Sequence, residues 1–214
     1  MYKIILSTYL KHLLMKIFRF LPNNINTGAT LYKDMGVAAI PDTALLIQKR
    51  PFFIPDFTQQ CVAQLCVCAR INRLGRSINE RFAQRYYNAD EMCLGVHFIA
   101  QDLLKELQCN NKPWDLAIGF DNAVAVAEGK QTMPMSDSLK ATVVLNDMSH
   151  TTMFSRKLLC NEFDHQIAQI SQHYTMKQGD LLLMPLNIEL VEVHIDDHVS
   201  LLLNDQSQLA FNIK

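Results

Sequence analysis

The N-terminus lacks the run of about 20 apolar residues that a membrane-spanning helix requires. Its most apolar stretch, Ile4–Leu10, is bounded by Lys3 and Lys11, and Lys16 and Arg19 follow. No small-residue cleavage site follows a clean apolar region there, which argues against a secretory signal. Six cysteines in 214 residues are too few for a disulfide-stapled scaffold. No paired Cys-x-x-Cys or Cys/His spacing announces a structural zinc site, and Cys66 and Cys68 form only a lone Cys-x-Cys. The sequence reads as a reduced, cytoplasmic protein. Excess charge of one sign is missing as well. Twenty basic against twenty-one acidic residues, net −1, leave no global footprint for nucleic acid or an anionic membrane. There is no internal repeat, no low-complexity tract and no linker that would split the chain.

What is present is core. At 49% hydrophobic and 19% charged, the chain can bury a sizeable interior. Its length suits one domain, which the pattern places at residues 15–214. Residues 1–14 read as an extension outside the fold, either packed or a short basic amphipathic helix.

Pattern assigns most elements. Residues 21–40 are turn-rich, with one strand at Val37–Ile40, and short strands are expected at Ala44–Ile47 and, between Pro51 and Pro55, at Phe52–Ile54. Val62–Ile71 alternates with period two, apolar on one face and polar or thiol on the other. Ser77 and Glu80 form a capping box for a helix over Ser77–Asn88, with Ile78, Phe82 and Tyr86 as its buried stripe. Cys93–Phe98 is a strand running into a helix from Ile99 to Leu107, and Val124–Ala127 is another strand. Ala141–Leu145 and Thr152–Phe154 pair through a turn at Asn146-Asp147. Phe163, Ile167, Ile170 and Tyr174 mark a second helix with Asn161 as N-cap. Leu181–Met184, Val191–Val193, Val199–Leu203 and Leu209–Ile213 make the C-terminal third strand-rich. The class is β-rich α/β with few helices.

The blocks PDTALL (41–46), RPFFIPDF (50–57), RINRLGRSI (70–78), LGVHFIAQDLL (94–104), PWDLAIGFD (113–121) and FDHQIAQISQHYTMKQGDLLL (163–183) resemble, in order and spacing, the fumarylacetoacetate hydrolase family. The resemblance implies a mixed β-roll with flanking helices, usually a homodimer. It implies Mg²⁺ or Mn²⁺ chemistry on 2-oxo acids such as acylpyruvates: hydrolysis, decarboxylation or isomerisation through an enolate. A hard divalent cation wants carboxylate oxygens, and as Lewis acid it stabilises the developing enolate.

The sequence departs from that family at the positions that matter. The two glutamate positions fall at Val62 and Gln64, and the aspartate position at His97. Only the following aspartate, Asp102, is kept. The lysine position is Ile118, with Asp121 close after it in the pocket. The Gly-Thr-Pro turn is replaced by Pro185, Leu186 and Asn187. A valine offers no ligand atom, an amide keeps shape without charge, and Mg²⁺ tolerates poor ligands badly. The joint change points to a lost metal site, no resident cofactor and no catalytic residues. The chain would then serve as a binding or structural protein, a homodimer or a partner of a homologue, without nucleic acid and off the membrane.

An alternative keeps activity through an altered site, with Gln64, Cys66 and His97 holding Zn²⁺ or another soft metal, or Cys66 as nucleophile with His97 as base. The remaining candidates read as structural. His194–His198 is a solvated turn, His165 and His173 lie on a surface, and Phe52, Phe53 and Phe57 belong to the core. The arginines from Arg70 to Arg85 form a solvated face diluted by Glu80.

Overall fold

The computed structural model describes residues 15–21, 36–47, 50–127 and 132–214. The expected extension (residues 1–14) and most of the turn-rich segment after it lie outside the described residues. Eleven strands are described: β1 (Ile17–Leu21), β2 (Gly36–Ile40), β3 (Cys61–Arg70), β4 (Cys93–Ala100), β5 (Val124–Val126), β6 (Ser138–Leu145), β7 (Met148–Ser155), β8 (Leu181–Pro185), β9 (Val191–Glu192), β10 (His198–Leu203) and β11 (Gln206–Asn212). Three α-helices accompany them: α1 (Gln101–Cys109), α2 (Asp115–Ile118) and α3 (Arg156–His173).

The strands form two sheets. One runs β2-β1-β8-β3-β4-β5, with β9 joining β3; the other runs β11-β10-β6-β7. The first is mixed, because β1 pairs parallel with β8 and antiparallel with β2. Its central strand β3 explains the layering. Ala63, Leu65, Val67 and Ala69 face a core shared with β6, β10 and α3. Val62, Cys66 and Cys68 face a second core closed by Leu104 and Leu107 of α1 and by Ala117 and Ile118 of α2. Period-two alternation sorts the residues, as expected, but both faces are covered. The thiol face is therefore as buried as the aliphatic one. Tight layering shows at Gly95, where an added Cβ would lie 2.5 Å from Cys68 Sγ and 3.0 Å from the Ala125 carbonyl oxygen.

The anchoring of β1 sets the site described below. Asp180 is fully buried and accepts from the backbone N–H of Lys16 at 2.9 Å and of Lys177 at 2.8 Å. The Lys16 ammonium lies 2.8 Å from the same carboxylate. A buried carboxylate that is both paired and hydrogen-bonded fixes a backbone firmly, and here it locks the start of β1 beside β8.

Several expectations need correction. Residues 77–88 do not form an α-helix. Ser77 takes a left-handed backbone (φ 49°), and a short 3-10 turn, Glu80–Arg85, follows with Asn79 as its cap. The tighter turn buries Ala83 and leaves Phe82 at the surface, so the expected Ile78–Phe82–Tyr86 stripe does not form. Helix α3 starts at Arg156, ahead of the expected Asn161. Its cap is Ser155, whose hydroxyl oxygen accepts from the Leu158 N–H, and Tyr174 lies just past its end. β4 continues to Ala100 because Cys61 pairs with it, so α1 begins later than expected. Ala44–Ile47 and Phe52–Ile54 contribute only isolated bridges, Leu45 to Val124 and Phe52 to Ile213. Phe52 is core, stacked on Phe98 at 3.8 Å, whereas Phe53 and Phe57 are 65% and 54% exposed.

Candidate functional site

Gln64 of β3 and His97 of β4 are direct cross-strand partners. Both point to the face covered by α1 and α2. The ladder between β8 and β3 runs from Arg70–Leu181 to Cys66–Pro185 and stops short of Gln64. Across that opening comes Arg19 of β1, a residue absent from the candidates read from sequence. Its Nη2 donates to Gln64 Oε1 at 2.5 Å, and its Nη1 donates to His97 Nδ1. His97 Nε2 donates to the Ile118 carbonyl oxygen at 2.5 Å. All three side chains are buried, His97 completely.

The partners fix the tautomer. A guanidinium only donates and a carbonyl only accepts. His97 therefore carries its proton on Nε2 and presents a lone pair from Nδ1. Burial holds the His97 pKa well below its ordinary value, the adjacent Arg19 charge pushes the same way, and the Ile118 hydrogen bond opposes them. The ring is neutral. Burial also lowers the Arg19 pKa, but a guanidinium stays protonated in proteins. Among the described residues no carboxylate contacts it, and its buried Nε has no partner. A cation thus sits inside the fold, held by two neutral acceptors.

The other candidates fall into place around this centre. Val62 is buried and offers no donor atom. The Cys66 thiol is pushed up to about 12 by burial, only partly offset by Arg19, and its Sγ leans on the Gln64 carbonyl oxygen at 3.5 Å. Ile118 contributes its carbonyl oxygen, not a lysine ammonium. Pro185 and Leu186 are buried, whereas Asn187 is exposed and its carbonyl oxygen accepts from Thr152 Oγ1 at 3.0 Å. Asp121 lies away from the centre, on a surface groove of about 410 Å³ that it lines with Phe53, Phe57 and Phe120. Asp102 accepts from Thr58 Oγ1 at 2.5 Å and from the Gln59 N–H at 2.8 Å, tying the start of α1 to the preceding loop. His194–Asp197 is a turn: the Asp197 carboxylate accepts from the His194 N–H at 2.7 Å, and Asp196 has φ 72°.

These donors do not suit a hard divalent cation. Gln64 Oε1 and both nitrogens of His97 are already engaged. The nearest charge is positive, which repels a metal ion. No cluster of three His, Cys, Asp or Glu side chains able to hold a metal ion occurs among the described residues. The fully buried thiol with its raised pKa also lacks the thiolate character a nucleophile needs.

The two-sheet architecture is that of the fumarylacetoacetate hydrolase fold. A protein assigned to that family in Yersinia pestis CO92 superimposes with a TM-score of 0.74 at 16% identity, covering 94% of this chain and 93% of the other. The fumarylpyruvate hydrolase of Pseudomonas aeruginosa, solved with Mn²⁺ and pyruvate, gives 0.75 at 12% identity, covering 94% and 89%. In sequence the chain is similar to the mitochondrial oxaloacetate tautomerase FAHD1 of Bos taurus, 23% identical over 145 residues. The match takes in 67% of this chain and spans 64% of that relative's length. No family model matches the chain. The expected β-roll is therefore what the chain forms. No helix among the described residues is long and apolar enough to cross a membrane.

Proposed function

We propose that this chain is a fumarylacetoacetate hydrolase family protein, folded over residues 15–214, in which an internal guanidinium has taken the place of the divalent metal. The observation that carries the reading is Arg19 bonded to both Gln64 and His97, the two family ligand positions that still bear polar atoms. A positive charge fixed there does the bridging work of a cation between strands without any metal. It cannot supply the open coordination positions on which metal-assisted enolate chemistry depends. The chain then lacks the metal-dependent C–C hydrolysis or tautomerisation of 2-oxo acids and serves in binding or structure, as a cytoplasmic homodimer or beside an active homologue. The buried, high-pKa Cys66 and the occupied His97 weigh against the alternative of an altered Gln/Cys/His enzyme.

The test has two arms. The purified full chain, with millimolar Mg²⁺ or Mn²⁺, is assayed for oxaloacetate tautomerisation and acylpyruvate cleavage, and Mn²⁺ binding is followed by electron paramagnetic resonance. Neither turnover above the uncatalysed rate nor stoichiometric Mn²⁺ is expected. The combined variant Arg19→Ala, Val62→Glu, Gln64→Glu, His97→Asp should gain one Mn²⁺ per chain, because it removes the cation and restores three carboxylates. Metal-dependent turnover by the unaltered chain, or Mn²⁺ bound by it, would sink the proposal.

A further inference from the structure

The segment from Asn72 to Tyr86 carries a second feature, independent of the buried site. The chain doubles back there: Ile71 bridges Tyr87, and the Asn72 N–H donates to the Tyr86 carbonyl oxygen at 2.8 Å. Gly75 lies flat against Tyr86, where an added Cβ would come within 2.3 Å of ring atom Cε1. The Gly75 N–H donates to Met176 at 3.0 Å, and the N–H groups of Ser77 and Ile78 donate to the backbone and hydroxyl oxygens of Ser171, each at 2.8 Å. The loop is thus a pinned platform on the end of α3.

That platform is cationic. Arg73, Arg76, Arg81 and Arg85 are all exposed. Among the described residues none of them pairs with a carboxylate. Arg70, by contrast, turns inward to the Gly179 carbonyl oxygen and the Met15 sulfur. Glu80, the one acid in the segment, hydrogen-bonds His165 Nδ1 at 3.0 Å and stands as a single carboxylate against the exposed arginines. The short 3-10 turn brings Arg81 and Arg85 onto one aromatic ring: their guanidinium carbons lie 4.5 and 4.6 Å from the Phe82 centroid. Arg73 lies 5.8 Å from the Tyr86 centroid. Like charges gathered on aromatic faces, in excess over one carboxylate, call for an anionic partner.

We propose that this arginine platform binds single-stranded nucleic acid, reversing the expectation from overall charge that the chain has no such partner and that these arginines are only a solvated face. Guanidinium forks fit phosphate bidentately, and guanidinium planes carried on aromatic rings stack bases on their open side. Acidic peptides supply carboxylates but make no use of the stacking planes. A duplex groove needs a helix or a two-stranded ribbon to enter it, and the patch offers neither. A membrane surface would need an amphipathic helix or apolar anchors, and Leu74 is the one large aliphatic side chain exposed within the loop.

The test is fluorescence anisotropy of a labelled 20-nucleotide oligouridylate with the full chain at 50 and 200 mM salt. Four arginines on phosphates give a salt slope of about −2.8 on logarithmic axes, so affinity should fall ~50-fold between the two concentrations. Arg81→Ala/Arg85→Ala should halve the slope, leaving a fall of ~7-fold. Arg81→Lys/Arg85→Lys should keep the slope but bind more weakly at both salts, because an ammonium does not stack. Unchanged circular dichroism of these surface variants excludes misfolding. No binding at 50 mM salt, or an unchanged slope in the alanine pair, overturns the proposal. So does polyglutamate competing as well as the unlabelled oligonucleotide, or a duplex binding as tightly as the single strand.

Discussion

Protonating His97 should unfold this protein more readily, and the direction of the effect follows from its burial and its two hydrogen bonds. The neutral ring accepts from Arg19 and donates to Ile118 with no exposure to solvent. A proton on Nδ1 would face the guanidinium and replace that bond with like-charge repulsion. The folded-state pKa therefore lies well below 6.5, while in the unfolded chain the ring titrates near its ordinary value. The unfolded state binds the extra proton first. His97 accordingly costs no stability above about pH 7 and about 1.4 kcal/mol per pH unit below about 6.5, until the folded pKa is reached. The loss accumulates as pH falls below about 6.5 and stops growing once the folded-state pKa is passed. Asp164 acts oppositely in the same window: burial raises its carboxyl to about 6, against opposing help from Tyr87. Folding then favours its protonation, and stability rises as pH falls through about 6. The contributions separate by difference. Urea unfolding of the wild type and of His97→Gln, which keeps one acceptor and one donor, is measured at half-unit pH steps. The stability difference between the two should shift in favour of the variant as pH falls below about 6.5, by at most about 1.4 kcal/mol per pH unit. Asp164 contributes equally to both and cancels. A difference that stays flat with pH would refute a neutral, buried His97.

Three further outcomes follow from named contacts. Arg19→Ala should cost about 3–5 kcal/mol of unfolding free energy, since it leaves a void and unpairs Gln64 Oε1 and His97 Nδ1. Arg19→Met should cost clearly less, because it fills the volume and no longer buries a charge; denaturant midpoints compare them. Thiol alkylation of the native protein at about pH 8 should spare Cys66, which burial holds near 12, and should modify exposed Cys109; mass spectrometry of the two peptides reads this directly. Gly95→Ala should destabilise by about 1–3 kcal/mol, because its Cβ meets the Cys68 sulfur and a backbone oxygen of β5, which a lowered melting temperature would register.

Much of the fold was legible because local pattern and tertiary burial agree. β3 and the β10–β11 pair announce themselves by period-two alternation, β4 by composition, β8 by a short apolar run, and the Asn146 turn by a residue that tolerates φ 53°. The Ser77–Asn88 reading failed because a capping box and an i, i+4 stripe are local signals. The left-handed Ser77 and the contacts of its loop with α3 overrode them. Phe53 and Phe57 misled because hydrophobicity says a residue can be buried, not that a neighbour arrives to bury it.

The candidate site divides along the same line. Sequence by itself determined which chemistry stands at the positions that the family resemblance marks as ligands: a valine, an amide and an imidazole where carboxylates would attract a hard cation. Once the resemblance supplies the positions, residue identity settles their chemistry, since charge and donor atoms are properties of the side chain. What fills the space between Gln64 and His97 only the tertiary structure decided. Arg19 lies 45 residues from Gln64 and 78 from His97. It reaches them because β1 inserts between β2 and β8, where buried Asp180 fixes its start. Pairing of that kind depends on which strand edges close against one another, a long-range choice that no spacing within β1 encodes.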